Sequence, residues 1–179
     1  MQLYVAKISE EDNSFEQVLE QDWLASVLEG RHSSEFRPAG SQTVTVWARR
    51  SGADVLLHAD TSIPMKTDCA SCLREFELEV PVNFSLTFKP RPGNRGNLPQ
   101  DLELTRDDLE ENYYQGESID LEEILREQVI LALPMYPRCG ESCQGLCPVC
   151  GVNLNEKSCS CEREEVDPRW VALRTITKQ

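Results

Sequence analysis

Cysteine is the residue type through which this chain could do chemistry. Six of its eight cysteines lie between Cys139 and Cys161, in the stretch CGESCQGLCPVCGVNLNEKSCSC. Thiolates bind soft metal ions, and Zn²⁺ takes four such ligands in a tetrahedron. In a reducing compartment this density of cysteines favours metal binding over disulfides. The stretch therefore predicts a metal site, and we expect the metal to be zinc.

The CPVCG core of the stretch supplies the first pair of ligands. Cys147 and Cys150 flank a turn that proline starts, and Gly151 accepts the left-handed backbone that can follow such a turn. Backbone amides in a turn of this kind can donate hydrogen bonds to the thiolates. One turn supplies only two ligands, so two more thiolates must come from elsewhere in the chain.

Two other cysteine pairs compete to complete this site. We predict Cys159 and Cys161 as the remaining ligands, because the intervening VNLNEKS contains asparagines that permit a tight reversal. Cys139 and Cys143 are the alternative ligands. The segment has few apolar residues, so metal binding must supply its folding free energy. We therefore expect a structural zinc site and not a catalytic one.

A further pair, Cys69 and Cys72 in the sequence CASC, lies between two predicted strands. Three interpretations stay open: a second metal site shared with Cys139 and Cys143, a thiol redox pair, or a strand crossover without chemistry. The redox interpretation is the weakest, because a thioredoxin-like pair normally opens a helix and the following LREFELEV continues as a strand. We expect a second metal site or a structural pair.

The elements that must position these cysteines form an α+β fold with two main helices. Apolar residues at helical spacing predict one helix over Phe15–Leu28, with Asn13 or Ser14 as its cap. A second helix follows Asp120, its predicted N-cap, and ends before Pro134.

Alternating apolar residues predict an antiparallel sheet in the middle of the chain. Ser51-Gly52 lies between two of the strands and indicates a hairpin, while Pro81 indicates an edge strand or a break. The predicted strands are Gln2–Ile8, Thr43–Arg49, Val55–Ile63, Phe76–Phe88 and Tyr113–Ile119.

We divide the chain into three segments. Residues 1–138 form the α+β body with the CxxC element, and residues 139–166 form a small cysteine-rich zinc module. Residues 167–179 form a C-terminal tail, which we expect to pack on the body through Trp170, Leu173 and Ile176.

The charge of the chain constrains its partners. Its formal net charge of −13 opposes long-range attraction to nucleic acid and favours a basic protein partner. Lys89, Arg91 and Arg95 form a small basic loop without acids, which we predict as the contact if the protein touches RNA. No phosphate-binding glycine loop or nucleophile elbow occurs, so we expect no enzyme.

No apolar run approaches the ~20 residues that span a bilayer, and MQLYVAKISEED lacks the features of a signal peptide. We therefore expect a cytoplasmic protein without a membrane partner.

Four stretches of the chain are distinctive in combination: CASCLREFE, SIDLEEILREQVILALPMYP, the cysteine-rich stretch and DPRWVALRTI at Asp167–Ile176. Together they resemble the YceD family of large ribosomal RNA subunit accumulation proteins. The resemblance implies a bacterial or plastid-type protein that supports accumulation or processing of large-subunit ribosomal RNA. It also implies that the C-terminal cluster is not the whole function, because members without it exist. That argues against a metal shared between Cys69, Cys72 and the cluster.

We therefore expect a non-catalytic ribosome biogenesis factor that binds a ribosomal protein or a large-subunit precursor, with contacts to ribosomal RNA limited to the basic loop. Two alternatives remain open. One is a thiol redox or metal-transfer protein that uses Cys69 and Cys72. The other is a zinc protein that binds RNA directly.

Overall fold

The computed structural model describes residues 1–29, 35–91 and 112–161. Within these ranges the chain forms eight strands and two α-helices, and a short 3-10 helix follows the first strand. The strands are β1 (Gln2–Tyr4), β2 (Asn13–Leu19), β3 (Phe36–Pro38), β4 (Gln42–Ser51), β5 (Asp54–Asp68), β6 (Glu75–Pro90), β7 (Asn112–Tyr114) and β8 (Ser118–Asp120); the helices are α1 (Gln21–Leu28) and α2 (Leu121–Ala132).

One main sheet has the strand order β2-β4-β5-β6-β7, and β3 pairs with β5 beyond the end of β4. Its pairs are antiparallel except that β7 runs parallel to β6. A parallel neighbour requires a long connection, and residues 91–111 separate these two strands. The prediction of an antiparallel sheet is therefore right for most of the sheet and wrong at this edge. Strands β1 and β8 form a separate antiparallel pair.

The main sheet and both helices share one hydrophobic core. Along β4, side chains alternate between buried and less buried positions, as expected of a strand with one covered face. The helices contribute seven fully or nearly buried side chains to the core: Leu24, Val27, Leu28, Leu121, Ile124, Leu125 and Val129. The α+β class with two main helices is confirmed.

The predicted helix over Phe15–Leu28 is wrong in its first half. Residues Asn13–Leu19 form β2 and pair with β4 along their whole length, and only Gln21–Leu28 is helical. Phe15 and Leu19 are four residues apart, a spacing that fits both a helix face and one face of a strand. Because these residues pair with the backbone of β4, the segment folds as a strand and not as a helix.

The second helix agrees with its prediction. The carboxylate of Asp120 accepts a hydrogen bond of 3.0 Å from the backbone N–H of Glu122, which caps the first turn. The helix ends at Ala132, two residues before Pro134. Neither helix in the described ranges is long and apolar enough to cross a membrane.

The hairpin of β4 and β5 is confirmed, and β6 pairs with β5 without a break at Pro81. The parallel strand β7 reaches only Phe88–Pro90, so within the described ranges Pro81 lies on a free edge of β6, where its missing N–H costs no ladder bond.

The other two predicted strands are shorter than expected. Gln2–Tyr4 gives way to the 3-10 helix, and two short strands, β7 and β8, replace Tyr113–Ile119.

Candidate metal centres

The eight cysteines form two groups of four. We call Cys69, Cys72, Cys139 and Cys143 the first cluster. We call Cys147, Cys150, Cys159 and Cys161 the second cluster. Within each cluster the sulfur atoms lie within 4.8 Å of one another, so that a single ion could contact all four.

Two parts of the fold meet to build the first cluster. Cys69 and Cys72 occupy the tight turn between β5 and β6, and the other two cysteines follow the end of α2. The backbone N–H of Ala70 donates to the carbonyl of Pro137 at 2.8 Å, which holds the chain after α2 against the turn. The cysteines that join here are 67 and 74 positions apart in sequence.

The CASC turn is a thiolate-binding turn. The backbone N–H of Ser71 donates to Sγ of Cys69 at 3.5 Å, and the N–H of Leu73 donates to the carbonyl of Cys69 at 2.9 Å. A second backbone N–H, from Cys139, also donates to Sγ of Cys69, at 3.4 Å. Amides aimed at a sulfur favour its ionised form, which is the form that binds a metal.

The CPVC turn of the second cluster repeats this geometry. The N–H of Val149 donates to Sγ of Cys147 at 3.5 Å, and the N–H of Gly151 donates to the carbonyl of Cys147 at 2.9 Å. The two CxxC sequences therefore form the same kind of turn, although their intervening residues differ.

Leucine occupies the glycine position of the first turn. Leu73 has φ of +58° and Gly151 has φ of +71°, and each directly follows the second cysteine of its turn. Leu73 is the single residue other than glycine with positive φ in the described ranges. The CPxCG pattern reveals only the second turn, because the first lacks its glycine.

Replacing Leu73 by glycine is expected to maintain or raise stability. A left-handed residue other than glycine costs about 1–2 kcal/mol, and the 67% exposure of Leu73 means that little burial is lost. Greater freedom of glycine in the unfolded chain offsets about 0.5–1 kcal/mol of this gain. Urea unfolding of both proteins in the presence of Zn²⁺ would measure the difference.

The matched variant is Gly151→Leu, in which the new Cβ meets no atom within 4 Å. It should lower stability by about 1–2 kcal/mol through backbone strain. A loss of more than 1 kcal/mol in Leu73→Gly would show that the leucine side chain stabilises the turn.

The sulfur atoms of the first cluster differ in their affinity for protons. Burial alone would raise the pKa of Cys69, but backbone N–H groups of Cys139, Ser71 and Cys72 outweigh it and lower the pKa to about 6. The Arg74 N–H favours the thiolate of Cys72, yet burial and the neighbouring sulfurs together raise its pKa to about 12.

The second cluster divides in the same way. Backbone N–H groups of Cys150 and Val149 lower the pKa of Cys147 to about 6. The Cys150 thiol, burial and the charge of other sulfurs raise the pKa of Cys161 to about 12. Four like charges cannot gather in so small a space unless a cation compensates them, so full ionisation of either cluster would require a bound metal ion.

The spacing of the sulfur atoms fits a tetrahedral ion. Sγ of Cys69 lies 3.8 Å from Sγ of Cys143, and Sγ of Cys72 lies 3.7 Å from Sγ of Cys139. A tetrahedron with metal–sulfur bonds of ~2.3 Å places its corners about 3.8 Å apart. Four protein ligands leave no open position for water or substrate, which is typical of a structural site.

The structure brings together the four cysteines that we predicted as one ligand set, and it places Cys139 and Cys143 elsewhere, beside Cys69 and Cys72. This is the shared arrangement that the family resemblance had argued against. The assignment of all eight as metal ligands stays a prediction.

The structure describes two of the three predicted RNA contacts, Lys89 and Arg91, and their role stays a prediction. Lys89 lies half-buried in β6, and Arg91 donates to Gln115 Oε1 at 3.5 Å. Arg95 lies outside the described residues, as do the predicted tail and its Trp170.

Comparison with known families gives one match. The family model described as "Large ribosomal RNA subunit accumulation protein YceD" matches residues 57–177. No solved structure matches the chain.

Curated relatives come from mycobacteria and from a plant. Uncharacterised proteins of Mycobacterium tuberculosis and Mycobacterium bovis are each 34% identical over 119 residues, which is 66% of this chain and 54% of theirs. The "Large ribosomal RNA subunit accumulation protein YCED homolog 1, chloroplastic" of Arabidopsis thaliana is 36% identical over 61 residues, 34% of this chain and 19% of its own. The chain thus spans about half the length of the mycobacterial relatives.

Proposed function

Because the chain belongs to the YceD family of large ribosomal RNA subunit accumulation proteins, we propose that it supports the accumulation of this RNA as a non-catalytic assembly factor. The family match carries this proposal. It extends over residues 57–177, a range that contains α2 and every cysteine of the chain.

Each cluster holds one Zn²⁺ in a structural role. The all-cysteine ligand sets, the tetrahedral sulfur spacing and the amides aimed at Cys69 and Cys147 support zinc. The first ion ties the end of the β5–β6 hairpin to the chain after α2. The second closes the loop that follows. A cytoplasm or plastid stroma, where thiols stay reduced, is the compartment in which such sites persist.

The partner is a basic ribosomal protein, free or within a large-subunit precursor. The net charge of −13 and the exposed acids of α2, Glu122, Glu123 and Glu127, support this partner. A groove of about 520 Å³ lies between this helix and the edge of the sheet, and its lining includes Glu123 and Glu127 beside Phe88. Such a groove suits the aliphatic stem and charged head of a lysine or arginine side chain.

Contacts with RNA are secondary in this proposal. Lys89 and Arg91 offer positive charge at the end of β6, but the net charge of the chain opposes RNA binding in the absence of a protein partner.

Sedimentation of ribosomal particles tests the proposed association. The protein should co-sediment with large-subunit precursors, and Glu123→Lys/Glu127→Lys should reduce the bound fraction about tenfold or more because it reverses two charges of the groove. The control Glu10→Lys/Glu11→Lys makes the same charge change at exposed positions before β2 and should retain binding.

Absence of the wild-type protein from every precursor fraction would contradict the assembly role. Equal losses in both charge-reversed variants would instead show that total charge, and not the groove, determines binding.

A further inference from the structure

A side chain from the loop of the second cluster reaches a sulfur of the first. Asn155 lies between Cys150 and Cys159, and its Nδ2 donates to Sγ of Cys143 at 3.5 Å. Its Oδ1 accepts from the backbone N–H of Gln144, the residue after Cys143, at 2.8 Å. One amide therefore contacts both the sulfur and the backbone that carries it.

The orientation of this amide is determined by its neighbours. Asn153 Oδ1 accepts from both the backbone N–H and the Nδ2 of Asn155, at 3.0 and 2.8 Å. Because two acceptors and one donor surround the side chain, only one of its two flipped orientations satisfies all of them. That orientation directs an N–H group at Sγ of Cys143, the position from which a hydrogen bond can orient and stabilise a metal-bound sulfur.

The loop that carries Asn155 is also hydrogen-bonded to the chain around residues 144–146, the linker between the clusters. The N–H of Cys147 donates to the carbonyl of Val152 at 2.8 Å, and the N–H of Leu154 donates to the carbonyl of Gly145 at 2.9 Å. The linker in turn contacts the first cluster, since the N–H of Leu146 donates to the carbonyl of Ser71 at 3.0 Å.

Close packing leaves this linker little freedom to move independently. A Cβ added at Gly145 would lie 3.0 Å from the carbonyl oxygen of Ser71, and Gly145 has φ of +74°. Only glycine fits here without displacing the backbone of the first turn.

Apolar packing contributes little to the order of this loop. Val152 and Leu154 are only half-buried, and cysteines of the second cluster precede and follow the loop. A metal ion bound by those cysteines would order the loop and so hold Asn155 beside Cys143.

We propose that the two clusters bind their ions cooperatively and that Asn155 is the positioning residue that couples them. This inference rests on the proposal that both clusters bind zinc. Loading the second cluster presents the Asn155 amide to the Cys143 thiolate, which strengthens binding at the first. By linkage, loading the first cluster strengthens binding at the second by the same factor.

A zinc titration that resolves the two clusters tests the coupling. Free Zn²⁺ is set by a competing chelator under reducing conditions, and loading is followed through the amide NMR signals of Ser71 for the first cluster and Val149 for the second. Asn155→Ala is expected to weaken the first cluster about tenfold, as the loss of a hydrogen bond to a metal ligand typically does.

Removal of the second site should have a similar effect. Cys159→Ser/Cys161→Ser should weaken the first cluster by about the same factor, and adding Asn155→Ala to it should cause no further loss. Lys157→Ala, in the same loop, is the matched control and should bind like the wild type.

The coupling would be overturned if the losses of zinc affinity at the first cluster were additive in the combined variant. It would also be overturned if Asn155→Ala alone or Cys159→Ser/Cys161→Ser alone bound zinc there like the wild type. If Asn155→Ala disturbs the second cluster itself, Asn155→Asp is the variant that tests the coupling. It keeps the acceptor for the N–H of Gln144 and replaces the donor to Cys143 by a carboxylate oxygen. Asp should weaken the first cluster at least as much as Ala, and wild-type affinity would again overturn the proposal.

The two proposals fail in distinguishable ways. A wild-type protein that binds no zinc contradicts the proposed zinc sites. A wild-type protein that binds two ions independently contradicts only the coupling.

Discussion

Replacing Cys69 and Cys72 by serine is expected to lower the zinc content of the protein from two ions per chain to one. The remaining thiols of the first cluster, Cys139 and Cys143, supply only half of a tetrahedral ligand set and should not retain the ion. Both replaced residues are buried, at 0% and 4% exposure, so their new hydroxyl groups also lose access to water.

The consequence for the fold should be local. Besides the cluster, two backbone hydrogen bonds connect the hairpin end to the chain after α2, from Ala70 N–H to the carbonyl of Pro137 and from Leu146 N–H to the carbonyl of Ser71. Losing the ion should therefore release the chain that follows Pro137, and each buried polar group left without a partner should cost about 1–3 kcal/mol. The core of the sheet and helices contains none of these cysteines and should remain folded.

Elemental analysis of purified protein, with circular dichroism as a check of folding, measures both effects. Ser71→Ala is the matched control in the same turn, because Ser71 acts through its backbone N–H and carbonyl. Cys139→Ser/Cys143→Ser should reproduce the loss of one ion. One ion in both the wild type and Cys69→Ser/Cys72→Ser would place the metal wholly in the second cluster and refute a first site.

Removing all zinc should unfold residues 139–161 while the body stays intact. Cys147 is the one residue of this segment whose side chain is buried, and it is itself a predicted ligand. Its backbone forms only one isolated bridge, Leu146 with Asn153, and a few turns. Structural zinc contributes about 10–16 kcal/mol to the folding of comparable small segments, and nothing else here approaches that magnitude.

Limited digestion with trypsin after treatment with a strong zinc chelator and a reductant would show the change. Cleavage after Lys157 should accelerate at least about tenfold, because the backbone N–H of Lys157 donates to the carbonyl of Asn153 in the folded loop. Cleavage after Lys66, within β5, is the internal control and should stay slow.

Restoring Zn²⁺ should restore the resistance of Lys157. Unchanged cleavage in protein shown to be free of zinc would mean that the segment folds without metal.

Local patterns in the chain were sufficient for several features. The CPVCG sequence predicted the turn at Cys147, and short chain distance brought Cys159 and Cys161 to it. Asp120 and Pro134 predicted the limits of α2, because capping and the exclusion of helix before proline act within one or two residues. Alternation predicted the β4–β5 hairpin for the same local reason.

Other features could not be predicted locally because distant partners decide them. The segment Phe15–Leu19 carries a spacing compatible with helix or strand, and pairing with β4 selected the strand. The parallel placement of β7 pairs residues 88–90 with residues 112–114, and alternation within each segment does not specify that pairing. The first turn could not be recognised from the sequence, because Leu73 adopts a left-handed backbone conformation at the position where glycine is usual.

Local sequence patterns were therefore enough to identify two CxxC motifs, a well-capped helix, a sheet and enough thiols for two ions. The division of those thiols into two clusters followed from tertiary packing alone. Cys139 and Cys143 join Cys69 and Cys72 because the end of α2 and the end of the β5–β6 hairpin meet over a common core. Such a meeting of distant segments depends on packing of the whole chain, and no spacing within a motif encodes it.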